Sequence, residues 1–169
     1  MQYSNTVKFT LSAALLGLLA LGIASSPAAA QADPATTSFN VTATVLKDCI
    51  VSATALAFGN YTGAVNNATS TITVTCTNTT TYNVGLGPGL ATGATVTTRQ
   101  MQNGANLLSY ALYSNSGMTT NWGNTSGTNW VSGTGNGAAQ PLTVYGQIAA
   151  GLYVTPGNYS DTIAVTVTY

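Results

Sequence analysis

The 169-residue chain contains no histidine and no glutamate, and its charged side chains are Lys8, Lys47, Arg99, Asp33, Asp48 and Asp161. These absences exclude function classes before any motif is sought. Without an imidazole there is no Ser-His-Asp arrangement and no histidine ligand for zinc. A glycosidase pair would have to be drawn from Asp33, Asp48 and Asp161 alone. General acid–base catalysis lacks its usual groups, so the chain reads as a non-enzyme with no cofactor and no small-molecule substrate. Charged residues make up 4% of the sequence, too few for a basic patch that would steer nucleic acid or anionic lipid. A surface so poor in charge and rich in threonine suits a protein packed into an assembly or held by a partner.

Long apolar runs are missing too, except near the start. Lys8 is followed by an apolar run over residues 11–24, then by Ser25, Ser26, Pro27 and small residues, the pattern of a secretory signal peptide. The run is shorter than the roughly 18–20 residues that span a bilayer, which argues against a membrane anchor. Cleavage after Ala30 or after Ala32 satisfies the small-x-small rule, so residues 1–30 are assigned to the signal and the mature chain is expected to be exported. What remains is one domain of ordinary size. Its only two cysteines, Cys49 and Cys76, are an even count in an oxidising compartment and predict a disulfide. No histidine, lysine cluster or CxxC spacing is present to make them reactive thiols instead.

The remaining pattern is of short β segments divided by Gly, Asn, Ser and Pro. Residues 70–77 alternate, with Ile72, Val74 and Cys76 on one face and Thr71, Thr73 and Thr75 on the other. Strands are also predicted over 49–58, 82–86, 95–101, 107–113, 142–148 and 160–169. With turn signals between them and no helical period, they argue for an all-β sandwich. Residues 114–139, rich in Gly, Asn, Ser and Thr, read as irregular with room for a loose hairpin. In the last segment Ile163, Val165, Val167 and Tyr169 share one parity, so the chain is expected to stop inside a strand that needs a neighbour. A second alternating stretch, Phe39, Val41, Ala43 and Val45, precedes Cys49, and its apolar series breaks at Lys47. Residues 46–48 form either a joint between two strands or a bulge in one long bent edge strand over 39–58.

The ordered set of these residues resembles a family: the alternating 39–45 stretch, Cys49, Phe58-Gly59-x-Tyr61, Val74-x-Cys76, Arg99-x-Met101, Leu112-Tyr113, Trp122-Gly123, Val144-Tyr145-Gly146, Gly157-x-Tyr159-x-Asp161 and the closing Val165-Thr166-Val167-Thr168-Tyr169. It is similar to the spore coat protein U domain, whose family includes pilin subunits of archaic chaperone-usher pili. The resemblance spans essentially the whole mature chain. It implies an immunoglobulin-like β-sandwich, incomplete because it lacks its final strand, with a hydrophobic groove beside the C-terminal strand. In such a family a periplasmic chaperone first lends a strand. At an outer-membrane usher the N-terminal extension of the next, identical or related, subunit replaces it. The resemblance thus implies a donor strand at Phe39, Val41, Ala43 and Val45 within an extension over 31–48. It implies an acceptor edge and chaperone contact at Ile163, Val165, Val167 and Tyr169 within a body over 49–169. The terminal carboxylate at Tyr169 is expected to be gripped by basic chaperone side chains.

The implied product is a cell-surface or extracellular fibre that supports adhesion or biofilm formation, and no nucleic acid partner is expected. The alternative is a self-contained secreted β-sandwich, a coat or carbohydrate-binding protein, in which residues 39–45 pair within their own chain. Tyr159 and Asp161 are read as a turn with a buried ring and a locally bonded carboxylate rather than a sugar contact. Trp122 and Trp130 are read as loop-packing anchors, and Arg99 as a structural hydrogen-bond donor.

Overall fold

The computed structural model describes residues 32–169, so the expected signal peptide lies outside the described residues. Residues 32–42 carry no regular secondary structure and are exposed throughout. The folded unit, residues 43–169, contains eight strands: β1 (Cys49–Ala53), β2 (Asn66–Cys76), β3 (Thr81–Leu86), β4 (Arg99–Asn103), β5 (Asn106–Tyr113), β6 (Val131–Thr134), β7 (Gln140–Ile148) and β8 (Val165–Thr168).

Every ladder is antiparallel. One sheet has the order β1-β2-β7-β5-β4 and the other β6-β3-β8. The two pack their alternating apolar faces together, as the two-residue period requires. Ile72, Val74 and Cys76 of β2 are buried while Thr71, Thr73 and Thr75 turn outward. Tyr82, Val84 and Leu86 of β3, Leu108, Tyr110 and Leu112 of β5, and Val144 and Ile148 of β7 complete the core together with Trp122.

Register defines the two ends of the body. Cys49 is paired with Cys76 across β1 and β2 and joined to it by a disulfide. The Tyr169 hydroxyl donates to Asp48 at 3.4 Å, so the last residue also lies at this disulfide end. Asn66 pairs with Ile148 at the opposite end of β2, and Gly151 N–H donates to the Gly63 carbonyl there at 2.9 Å.

The sandwich is incomplete. Val51 pairs with Val74 and shares its inward face, yet Val51 is 42% exposed while Val74 is fully buried. Among the described residues, no strand covers the inner face beside β1. β1 and β8 are each edge strands, β8 bonded on one side to β3 and without a ladder partner on the other among the described residues.

Several segments differ from the pattern-based expectations. Residues 32–48 form no strand. The strand expected over 49–58 stops at Ala53, because the inward positions change parity: Cys49 and Val51 face inward from odd positions, Leu56 and Phe58 from even ones. Residues 95–98 form a turn closed by a Thr98 N–H to Thr95 carbonyl bond, delaying β4 to Arg99. The strand expected over 160–169 is regular only from Val165, because Ser160 bridges to Gln102 of β4 and Asp161 is held elsewhere. Within 114–139, β6 is the one regular strand and pairs with β3.

Candidate strand-acceptor groove

An open cleft of about 1110 Å³ runs between the chain that follows β1 and the chain that leads into β8. Residues 53–63 form one wall, residues 152–163 and Val165 the other, and the floor is the core itself: Ile72, Leu86, Leu108, Tyr110, Leu112, Val144 and Ile148. The volume exceeds the roughly 300–1,000 Å³ typical of small-molecule pockets. A cleft this long, floored by side chains that belong in a closed interior, has the form of a missing core layer.

Each wall has a local cause. Leu56 and Phe58 lie across β7 at Gly146, where an added Cβ would stand 2.8 Å from Leu56 and 2.9 Å from Phe58. Glycine at 146 is therefore what lets this wall approach the sheet. Phe58 also meets Tyr110 edge-on, ring centroids 6.1 Å apart. On the facing wall Leu152, Val154, Tyr159, Ile163, Val165 and Val167 are half-buried against the core.

A buried polar cluster anchors that second wall. Arg99 is fully buried and donates from Nε to the Gly87 carbonyl at 2.8 Å, from Nη1 to Val96 at 2.8 Å, and from Nη2 to Leu86 at 2.9 Å and Trp122 at 2.7 Å. Burial lowers the Arg99 pKa to about 10, against the opposing pull of Tyr110 and Asp161. The Tyr110 hydroxyl donates to Asp161 Oδ2 at 2.7 Å, and burial followed by this bond pushes the phenol up. Asp161 Oδ1 accepts from the N–H groups of Leu90 at 2.8 Å and Thr162 at 2.7 Å. Gly89, at φ +91°, leaves room for the Asp161 carboxylate where a Cβ would collide with it. One carboxylate thus pins the entry of the last strand to β5 and to the 87–90 turn.

Of the residues singled out in the sequence, Ile163 and Val165 line the cleft, Val167 is half-buried against the core without lining it, and Tyr169 is 52% exposed just past β8. Phe39, Val41 and Val45 are 86%, 83% and 84% exposed, and Ala43 is exposed too. Trp122 is buried with Nε1 donating to the Val84 carbonyl at 2.9 Å. Trp130 is partly buried with its Nε1 lying 3.1 Å from the site of a Gly85 Cβ, and the Tyr159 hydroxyl donates to the Thr155 carbonyl at 2.7 Å. Sequence reasoning missed Leu56, Phe58, Leu152 and Val154 as walls. The parity change between Val51 and Leu56 was the signal available. Among the described residues, no group of three or more His, Cys, Asp or Glu stands close enough to hold a metal ion.

Residues 35–166 match the Spore Coat Protein U domain. In sequence the chain is similar to Protein U of Myxococcus xanthus, 38% identical over 165 residues that cover 87% of this chain and 90% of that protein. In structure it is similar to a chain of the chaperone–tip adhesion subunit pre-assembly complex, CsuC-CsuE, from archaic chaperone-usher Csu pili of Acinetobacter baumannii. The TM-score is 0.56 at 26% identity, and the match covers 75% of this chain. The same match covers 40% of that chain, so this chain corresponds to less than half of it. With the family's domain matched across nearly the whole folded unit and an open antiparallel sandwich as its architecture, the chain belongs to the Spore Coat Protein U domain family.

Proposed function

We propose that this chain is a pilin-type structural subunit of an extracellular fibre, assembled by donation of a β-strand from one subunit to the next. The observation that carries this reading is the open cleft, floored by the core and flanked by two unpaired edges. Its complement is the exposed alternating segment Phe39, Val41, Ala43 and Val45. The lengths agree: residues 39–45 and 163–169 are seven each, about 20 Å of extended chain. The acceptor positions are Ile163, Val165, Val167 and Tyr169, to which Leu56 and Phe58 add the opposite wall.

In this reading residues 1–30 direct export, residues 31–48 carry the donor strand, and residues 49–169 form the accepting body. Left alone, the body exposes apolar floor and free ladder groups, which invites edge-to-edge aggregation. A periplasmic chaperone that lends a strand protects it until an outer-membrane usher hands it to the next subunit. Direction matters. β8 ends at the disulfide end, where the donor segment also leaves the body. A donor lying parallel to a neighbour's β8 brings two disulfide ends together and permits reciprocal exchange, which closes a pair. A donor lying antiparallel joins the disulfide end of one body to the opposite end of the next, a heterologous contact that propagates as a fibre.

The test is periplasmic expression with and without the cognate chaperone, followed by gel electrophoresis of unheated and boiled samples. Low yield of the lone subunit, rescue by the chaperone, and ladders that collapse on boiling are expected. A lone chain that accumulates as a stable monomer would instead mean that residues 39–45 fill their own cleft, as in a self-contained coat protein.

A further inference from the structure

Strand donation, on which this inference rests, fixes how close successive bodies must come. Four Cα steps separate Val45, the last inward position of the donor segment, from Cys49, which the disulfide holds to β2. They reach at most about 14 Å. With the donor antiparallel to the neighbour's β8, as a propagating fibre requires, the disulfide end of the donating body is therefore held against the opposite end of the accepting body, and the surfaces there must meet.

Each of those surfaces has a feature unexplained by the single subunit. At the disulfide end, Asp48, Ile50, Thr75, Cys76, Thr77 and Gly137 line a hollow of about 270 Å³, with Ile50 65% exposed beside it. At the opposite end stands Tyr153, 89% exposed, between Leu152 and Val154, which turn inward to the core. Its ring rests over Gly63, 3.1 Å from where a Cβ would be, at the mouth of the cleft, and most of the ring faces solvent. Within one chain, Tyr153 and the hollow are far apart. Gly63 lies near Asn66 and Ile50 pairs with Thr75, nine residues further along β2, about 30 Å.

We propose that Tyr153 of the accepting subunit seats in the hollow beside the disulfide of the donating subunit, a second contact between copies of this chain that locks each donated strand. The ring lies against Ile50 and its hydroxyl reaches Asp48, one of the few carboxylates available. A rigid aromatic entering a partner's pocket is the usual form of an interface anchor.

The decisive experiment places Ile50→Cys and Tyr153→Cys in one chain and assembles fibres under oxidising conditions. The expected ladder survives boiling without reductant, collapses with it, and yields a bridge between positions 50 and 153 by mass spectrometry. Fibres of this variant whose ladder collapses on boiling without reductant overturn the contact and leave strand donation standing. Absence of fibres from the unsubstituted chain with its chaperone and usher removes strand donation, and the contact with it. If the double variant does not accumulate, Tyr153→Ala decides. Its ladders should be lost about tenfold faster on warming, with Tyr153→Phe between the two because it keeps the ring against Ile50 and loses the bond to Asp48, and an unchanged rate for Tyr153→Ala overturns the contact.

Discussion

Replacing Val41 by aspartate should cripple fibre stability, whereas replacing its neighbour Thr42 should not. With residues 39–45 as the donated strand proposed above, their odd positions would enter the neighbour's cleft and the even ones face out. Val41 is 83% exposed in the subunit, so nearly its whole side chain is available for burial, worth about 1.5–3 kcal/mol. Val41→Asp forfeits that and sets a carboxylate against the apolar floor of the cleft, adding at least another 1–3 kcal/mol or so. A combined loss of about 3 kcal/mol or more lowers strand occupancy on the order of 100-fold. Thr42→Asp places its charge in water and should cost under about 0.5 kcal/mol. The assay is the temperature at which ladders of purified fibres disappear on unheated gels, read for parent, Val41→Asp and Thr42→Asp side by side. Equal effects from the two variants, or none from Val41→Asp, would refute alternate-side insertion.

Two further outcomes follow from the body itself. Arg99→Met removes the donor for three buried carbonyls, those of Gly87, Leu86 and Trp122, and for the part-buried one of Val96, and should destabilise the chaperone-bound or self-complemented subunit by at least about 3 kcal/mol. A melting temperature within a degree of the parent would show that water or rearrangement satisfies them. Cys76→Ser opens a loop with a sequence separation of 27, a loss of about 3–4 kcal/mol in the chain-entropy model. Periplasmic yield and denaturant midpoint should both fall, and unchanged values would show the bridge to be dispensable.

Where one face of a strand is buried and the other is wet, the pattern was legible. The Ile72, Val74 and Cys76 series and the Val165 and Val167 series each appear on the expected face. β6 was not legible, because its four residues sit in a Gly- and Ser-rich run and are specified by pairing with β3 rather than by their own periodicity. Residues 54–58 were read as the end of a strand, because an apolar run does not reveal that its inward parity shifts after Ala53. The inward alternation of Ile163 and Val165 in one cleft wall was legible, but the facing wall at Leu56 and Phe58 depends on Gly146, 90 residues from Leu56. Arg99 could be read as a hydrogen-bond donor. That its acceptors are all main-chain carbonyls converging from three segments is a property of the fold alone.

The cross-strand link between Cys49 and Cys76 also governs how a fibre would bear mechanical load. Tension along the filament enters each body through the donated segment and arrives at Cys49, the first residue of an edge strand. Five ladder pairs hold that strand, an arrangement open to peeling one bond at a time. The covalent bridge at its very first pair diverts the pull into β2, which meets β7 along nine pairs. Failure then requires sliding a long interior strand against its neighbours, so the thread is strongest at the point where each bead is tied.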